Sequence, residues 1–169
     1  MEMMSATPSP TSSPDGKTIA YESSGVQMYN DEGDKEIYRM SAFDGKNKKN
    51  LTNNGADVND SYPVYSPGGQ RIAYHTYGQQ TSNLDGDYDV YRMSASDGTG
   101  QKNLTDGKEG VDNEYPFFSS DGTKIFYESQ GIQDSNLQAD HEVYRLNTSD
   151  GLGQKNLTNN DANDRVFPD

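Results

Sequence analysis

The chain has 169 residues, 27 acidic against 14 basic side chains for a net charge of −13, no Cys, no Trp and 30% hydrophobic residues. Leu, Ile, Val and Phe together number only 24, a composition in the range of intrinsically disordered chains. A pI near 4.4 excludes a nucleic-acid binder and disfavours docking on an anionic membrane, both of which need Lys and Arg. The lack of Cys excludes disulfides and thiolate chemistry, and no apolar run approaches the roughly 20 residues of a membrane span.

Residues 1–9 read as an N-terminal tail. Met1-Glu2-Met3-Met4 followed by Ser, Ala, Thr and Pro lacks the basic start and apolar stretch of a secretory signal, so a leader, if the protein is exported, is expected outside this sequence. From there one unit repeats three times. Ile19, Ile72 and Ile125 are 53 residues apart, as are Tyr38, Tyr91 and Tyr144, and Leu51, Leu104 and Leu157. The boundaries drawn from this period are 10–62, 63–115 (first strand from about 60), 116–158 (first strand from about 113) and a C-terminal tail at 159–169.

Each unit opens on a turn, Ser13-Pro14-Asp15-Gly16, Ser66-Pro67-Gly68-Gly69 or Ser119-Ser120-Asp121-Gly122, followed by a short apolar run such as Arg71-Ile72-Ala73-Tyr74. Turn residues flanked by β-formers predict a tight hairpin. After about a dozen polar residues comes a second run, Glu36-Ile37-Tyr38-Arg39-Met40, Asp89-Val90-Tyr91-Arg92-Met93 or Glu142-Val143-Tyr144-Arg145-Leu146. Alternation sets Tyr and Met or Leu on one face and Arg and Ile or Val on the other, so both faces are expected to be covered. A second turn at Asp44-Gly45, Asp97-Gly98 or Asp150-Gly151 precedes a strand ending in Lys-Asn-Leu-Thr. A loop then leads to Tyr62-Pro63-Val64-Tyr65 or Tyr115-Pro116-Phe117-Phe118. Four short strands per unit, with Gly, Pro and Asx too frequent for helices, predict an all-β protein built of β-propeller blades. Stacked blades share cores that no unit could form alone, and twelve Tyr supply apolar area that Leu and Val do not.

The unit Ser-Pro-Asp-Gly-x-x-Ile-Ala-Tyr, acidic-Ile/Val-Tyr-Arg-Met, Asp-Gly, Asn-Leu-Thr, Tyr-Pro resembles the TolB-type (WD40-like) β-propeller repeat over residues 10 to 168. The resemblance implies propellers that are usually six-bladed, often periplasmic or extracellular, and used as interaction platforms or as accessory domains of peptidases and carbohydrate-active enzymes. Two departures stand out: units longer than the roughly 40 to 45 residues of a plain blade, with the excess between the second and third strands, and three blades where a ring needs at least about four. Two chains would supply six. Phe167-Pro168 matches Tyr62-Pro63 with one residue fewer in the preceding loop, so a head-to-tail C2 homodimer is expected, with the tail from Asn159 to Asp169 reaching the first blade of a second copy. The alternatives are an excised half of a longer propeller, which would still expose two open blade faces, or a recent duplication without an evolved ligand.

Two sets of polar residues recur. In the long loops Asp85, Asp87 and Asp89, with Asp34, Glu36, Asp140 and Glu142 at matching positions, could converge on a hard cation such as Ca²⁺. Each set follows an Asn (Asn30, Asn83, Asn136). The other reading has Asp34, Asp87 and Asp140 capping turns or pairing with Arg39, Arg92 and Arg145. Before each inner strand lie Asn59 and Asp60, Asp112, Asn113 and Glu114, and Asn163 and Asp164, which either line a negative channel mouth for a protein or cationic ligand or form turns. Catalysis has little support: His75 and His141 sit at different repeat positions and no Gly-x-Ser-x-Gly elbow occurs. The Asn50, Asn103 and Asn156 sequons read as structural Asn-Leu-Thr. The expected role is a non-catalytic half-propeller scaffold, with an accessory or degenerate part of a hydrolase or polysaccharide lyase as the alternative.

Overall fold

A computed structural model describes residues 10–26, 30–105, 108–133, 136–160 and 162–165. They form twelve strands in three four-stranded antiparallel sheets, with no helix among the described residues. Blade 1 comprises β1 (Thr11–Ser12), β2 (Thr18–Ser23), β3 (Glu36–Ser41) and β4 (Lys49–Asn50). Blade 2 comprises β5 (Asn59–Tyr65), β6 (Arg71–Tyr77), β7 (Asp89–Ser94) and β8 (Lys102–Asn103). Blade 3 comprises β9 (Asp112–Phe118), β10 (Lys124–Gln130), β11 (His141–Asn147) and β12 (Lys155–Asn156). Each sheet runs in chain order, and the central pairs align the repeat with itself: Tyr21 opposite Tyr38, Tyr74 opposite Tyr91, Tyr127 opposite Tyr144.

The turns form for local reasons. Ser13, Ser66 and Ser119 each accept the backbone N–H five residues on, at 3.0 to 3.1 Å, and Gly16, Gly69 and Gly122 close the turn with positive φ. At the second turn Asp44, Asp97 and Asp150 accept the backbone N–H two residues on.

The core lies between blades, as the two covered faces required. Ala20, Ile37 and Leu51 of blade 1 pack with Ile72, Tyr74, Tyr91, Met93 and Ala95 of blade 2. Ala73, Val90 and Leu104 of blade 2 repeat this against Ile125, Tyr127, Tyr144 and Leu146 of blade 3. Arg39 and Arg92 reach across these joins: Arg39 donates to the Ala95 carbonyl at 3.2 Å and Arg92 to that of Ser149 at 2.9 Å. Pairing of these arginines with the loop aspartates, one of the two readings above, is therefore replaced by carbonyl contacts to the next blade.

The inner strands β5 and β9 carry a bulge. Tyr62 and Pro63 together oppose only Tyr74, and Tyr115 and Pro116 only Tyr127. Proline has no N–H to give the ladder. Tyr62 and Tyr115 adopt φ of 55° and 53°, a costly conformation for a bulky residue. The strain is offset by turning each tyrosine N–H out of its own sheet toward the preceding blade.

Candidate functional site

The loop acids form one recurring device. Glu36 and Asp89 open β3 and β7, Glu142 is the second residue of β11, and all three are buried and accept the hydroxyls of Thr52, Thr105 and Thr158, each 16 residues on. The same threonines accept the N–H of Ile37, Val90 and Val143 at 2.9 to 3.1 Å. Asn50, Asn103 and Asn156 accept the N–H of those threonines at 3.0 to 3.1 Å, so each Asn-Leu-Thr is engaged within its blade. Asp89 also takes the Asn103 amide at 2.7 Å. Burial raises the pKa of Glu36 and of Asp89, opposed by these hydrogen bonds.

Asn30, Asn83 and Asn136 clasp the long loops, donating to the carbonyls of Asp34, Asp87 and Asp140 at 2.7 to 2.8 Å. Asp87 accepts the Gly110 N–H at 2.5 Å, Asp34 has its pKa raised by burial, and Asp85 and Asp140 are half-buried. Among the described residues no group of three or more acidic or histidine side chains is arranged to hold a metal ion.

The residues expected before each inner strand, which at Asn59–Asp60 and Asp112–Glu114 are the first residues of β5 and β9 themselves, are also engaged with the protein itself. Asn59, Asp112 and Asn163 each accept a backbone N–H from the preceding blade at 3.2 Å, from Lys35, Tyr88 and His141. Asp60 is fully buried, accepting Thr76 at 2.6 Å and Asn54 at 2.5 Å, and burial holds its pKa well above the usual range. Asn113 accepts Ser129 at 2.8 Å, and Asp164 accepts Asn160 at 2.6 Å. The hydrogen-bonded pair is six residues apart at Asn54 and Asp60 but four apart at Asn160 and Asp164, a loop shorter by two at this point. Phe167 and Pro168 lie outside the described residues.

A different cluster occupies the inner wall. Glu22, His75 and Glu128 hold one repeat position, 53 residues apart. Glu22 accepts the Tyr62 N–H at 3.3 Å, and His75 Nδ1 accepts the Tyr115 N–H at 3.2 Å. Burial lowers the His75 pKa to about 3, so the ring is neutral and carries its proton on Nε2. Rings of Tyr62, Tyr88 and Tyr115 surround it at 5.0 to 5.3 Å. Glu128 lies 2.5 Å from His141 Nδ1, whose Nε2 is 3.1 Å from Arg165. Glu114 is pushed up to about 7, first by burial and then by repulsion from Asp112 and Glu128. The signal for this cluster was in the sequence: comparing His75 with its own repeat equivalents, rather than with His141, yields a Glu–His–Glu series. An open cleft of about 740 Å³ between blades 1 and 2, beside their Ser-Pro turns, is lined by Pro14, Lys17, Arg39, Tyr65 and Gln70.

This architecture is a β-propeller of the TolB type. The chain is similar to TolB from Acinetobacter baumannii (TM-score 0.64, 23% identity, 94% of this chain and 34% of that one). It is also similar to a putative TolB from Agrobacterium tumefaciens (0.65, 21%, 91% and 50%). An oligogalacturonate lyase in complex with manganese aligns at 0.61 and 15% identity over 90% of this chain and 41% of that one. The chain thus spans a third to a half of these structures. No family model and no curated protein sequence matches it.

Proposed function

We propose that the chain is half of a six-bladed ring closed by a second copy, and that the ring is a non-catalytic binding scaffold. The carrying observation is that its two end faces are the unmatched halves of the joins seen inside it. Leu51 and Leu104 are 3% and 5% exposed at internal joins, while their equivalent Leu157 is 42% exposed. Gly98 and Gly151 sit so close to the Leu51 and Leu104 carbonyls that a Cβ would meet them at 1.9 and 2.5 Å, whereas Gly45 has nothing within 4 Å. Ile72 and Ile125, Tyr74 and Tyr127, and Met93 and Leu146 are buried, but Ile19, Tyr21 and Met40 are half-buried. Leu157 of one copy against Gly45 of another would complete the pattern at each of two equivalent joins. Light scattering across a range of concentrations should report twice the 18.7 kDa chain mass; a stable single-chain species at tens of micromolar overturns the ring.

The inner wall of tyrosines and carboxylates favours a basic ligand, such as a lysine-rich peptide, drawn by the negative field. Calorimetric titration should show saturable, salt-sensitive binding weakened by Glu114→Gln; binding unchanged by that substitution would remove the ligand from this wall. The likeness to an oligogalacturonate lyase favours the second reading, a degenerate or accessory part of an enzyme. Lyase activity on oligogalacturonate, lost on changing His75 or His141, would establish it.

A further inference from the structure

Resting on the two-copy reading above, we infer that the join between copies is specified by a size-reversed side-chain pair, Phe126 of one copy against Ser12 of the next. Ala20, Ala73 and Phe126 hold one repeat position on β2, β6 and β10, and Ser12, Tyr65 and Phe118 hold another on the inner strands β1, β5 and β9. At the first internal join Tyr65 of blade 2 packs on the cluster containing Ala20 and its hydroxyl lies 3.0 Å from that of Thr18. At the second, Phe118 of blade 3 packs on the cluster containing Ala73. Each join thus combines an alanine of the earlier blade and a large aromatic of the later one in a single cluster.

The outer face of blade 3 inverts this order. Phe126 replaces the alanine, is half-buried, and stacks on Phe117 at 5.1 Å between centroids, with Phe117 itself 41% exposed. The free face of blade 1 makes the matching change: where Tyr65 and Phe118 stand in the other blades, it carries Ser12, which is exposed. Two aromatics at one join would overpack it, and two small residues would leave a void. A further blade of the internal type would bring an aromatic onto Phe126, whereas a second copy of this chain brings Ser12. The occupant of both faces is therefore this same chain, in head-to-tail order.

The test compares the full-length chain with Phe126→Ala, Ser12→Tyr and the double variant, by dimer dissociation constant from sedimentation equilibrium, with thermal melting of each to establish that it folds. Each single variant should weaken association at least tenfold, one by a void and the other by a clash. The double variant, which restores the small-to-large order of the internal joins, should associate more tightly than either single one. Singles that associate like the parent, or a double variant no better than the singles, overturn the pairing while leaving the dimer intact. A parent chain that stays single at all concentrations overturns the two-copy reading itself.

Discussion

Glu36, Asp89 and Glu142 show how a side chain's partner decides its role. Loop spacing alone offered them as candidate cation ligands; in the folded chain each also belongs to the alternation that buries Tyr38, Tyr91 and Tyr144 two residues on, and accepts a threonine hydroxyl. The inward face was thus legible in the sequence; the threonine 16 residues away was not, because it meets the acid only once the sheet has formed. Thr105→Val should cost about 1–3 kcal/mol in chemical denaturation by stripping a donor from a buried carboxylate, while Asp85→Asn should be close to neutral. Glu114 gives a pH signature. Between its ordinary value of 4.5 and about 7 the folded chain keeps a proton that the unfolded chain releases, so this group makes stability fall as pH rises through that window and level off above it. Glu114→Gln should stabilise relative to the parent by on the order of 2 kcal/mol at pH 8, with the gain vanishing near pH 4.5. A gain independent of pH would contradict the raised pKa. His75 works in the opposite sense, since the unfolded imidazole protonates below 6.5 and the buried one only near 3.

Strands, turns and their order followed from the repeat, since the Asp-Gly and Ser-Pro-Asp-Gly turns are local and the alternation is strict over five residues. What the elements exchange across blades was less legible. Arg39 and Arg92 bond carbonyls about one repeat away, and no spacing rule marks a carbonyl as a target. The second-turn glycines belong here too. Gly98→Ala places a Cβ 1.9 Å from the Leu51 carbonyl at a φ of 78°, so the blades must part, and a loss of about 2–4 kcal/mol is expected in thermal or urea unfolding. Gly45→Ala, with open space around it, should cost only about 1 kcal/mol in the isolated chain from its positive φ, yet should weaken assembly as Gly98→Ala weakens the internal join. Equal effects of the two on single-chain stability would contradict the assignment of Gly45 to a free face.

On the scale of the whole molecule, a composition that reads as disorder folds because each blade borrows its core from a neighbour. The 24 residues of Leu, Ile, Val and Phe suffice because Tyr, Met and Ala complete the clusters at the joins between sheets. The sequence resolved the fold through its period and left the ligand open, because sites reside in local side-chain groupings that a fold does not specify. Joining two chains of charge −13 sets like charges side by side, so association should tighten as salt rises from about 20 to 500 mM, the reverse of an ion-paired interface. Two chains that close a ring, rather than adding blades without end, have a fixed mass, which native mass spectrometry reads. A single species of two chains that persists as concentration rises is expected; a ladder of three, four and more chains, or the single chain alone, would contradict a closed ring.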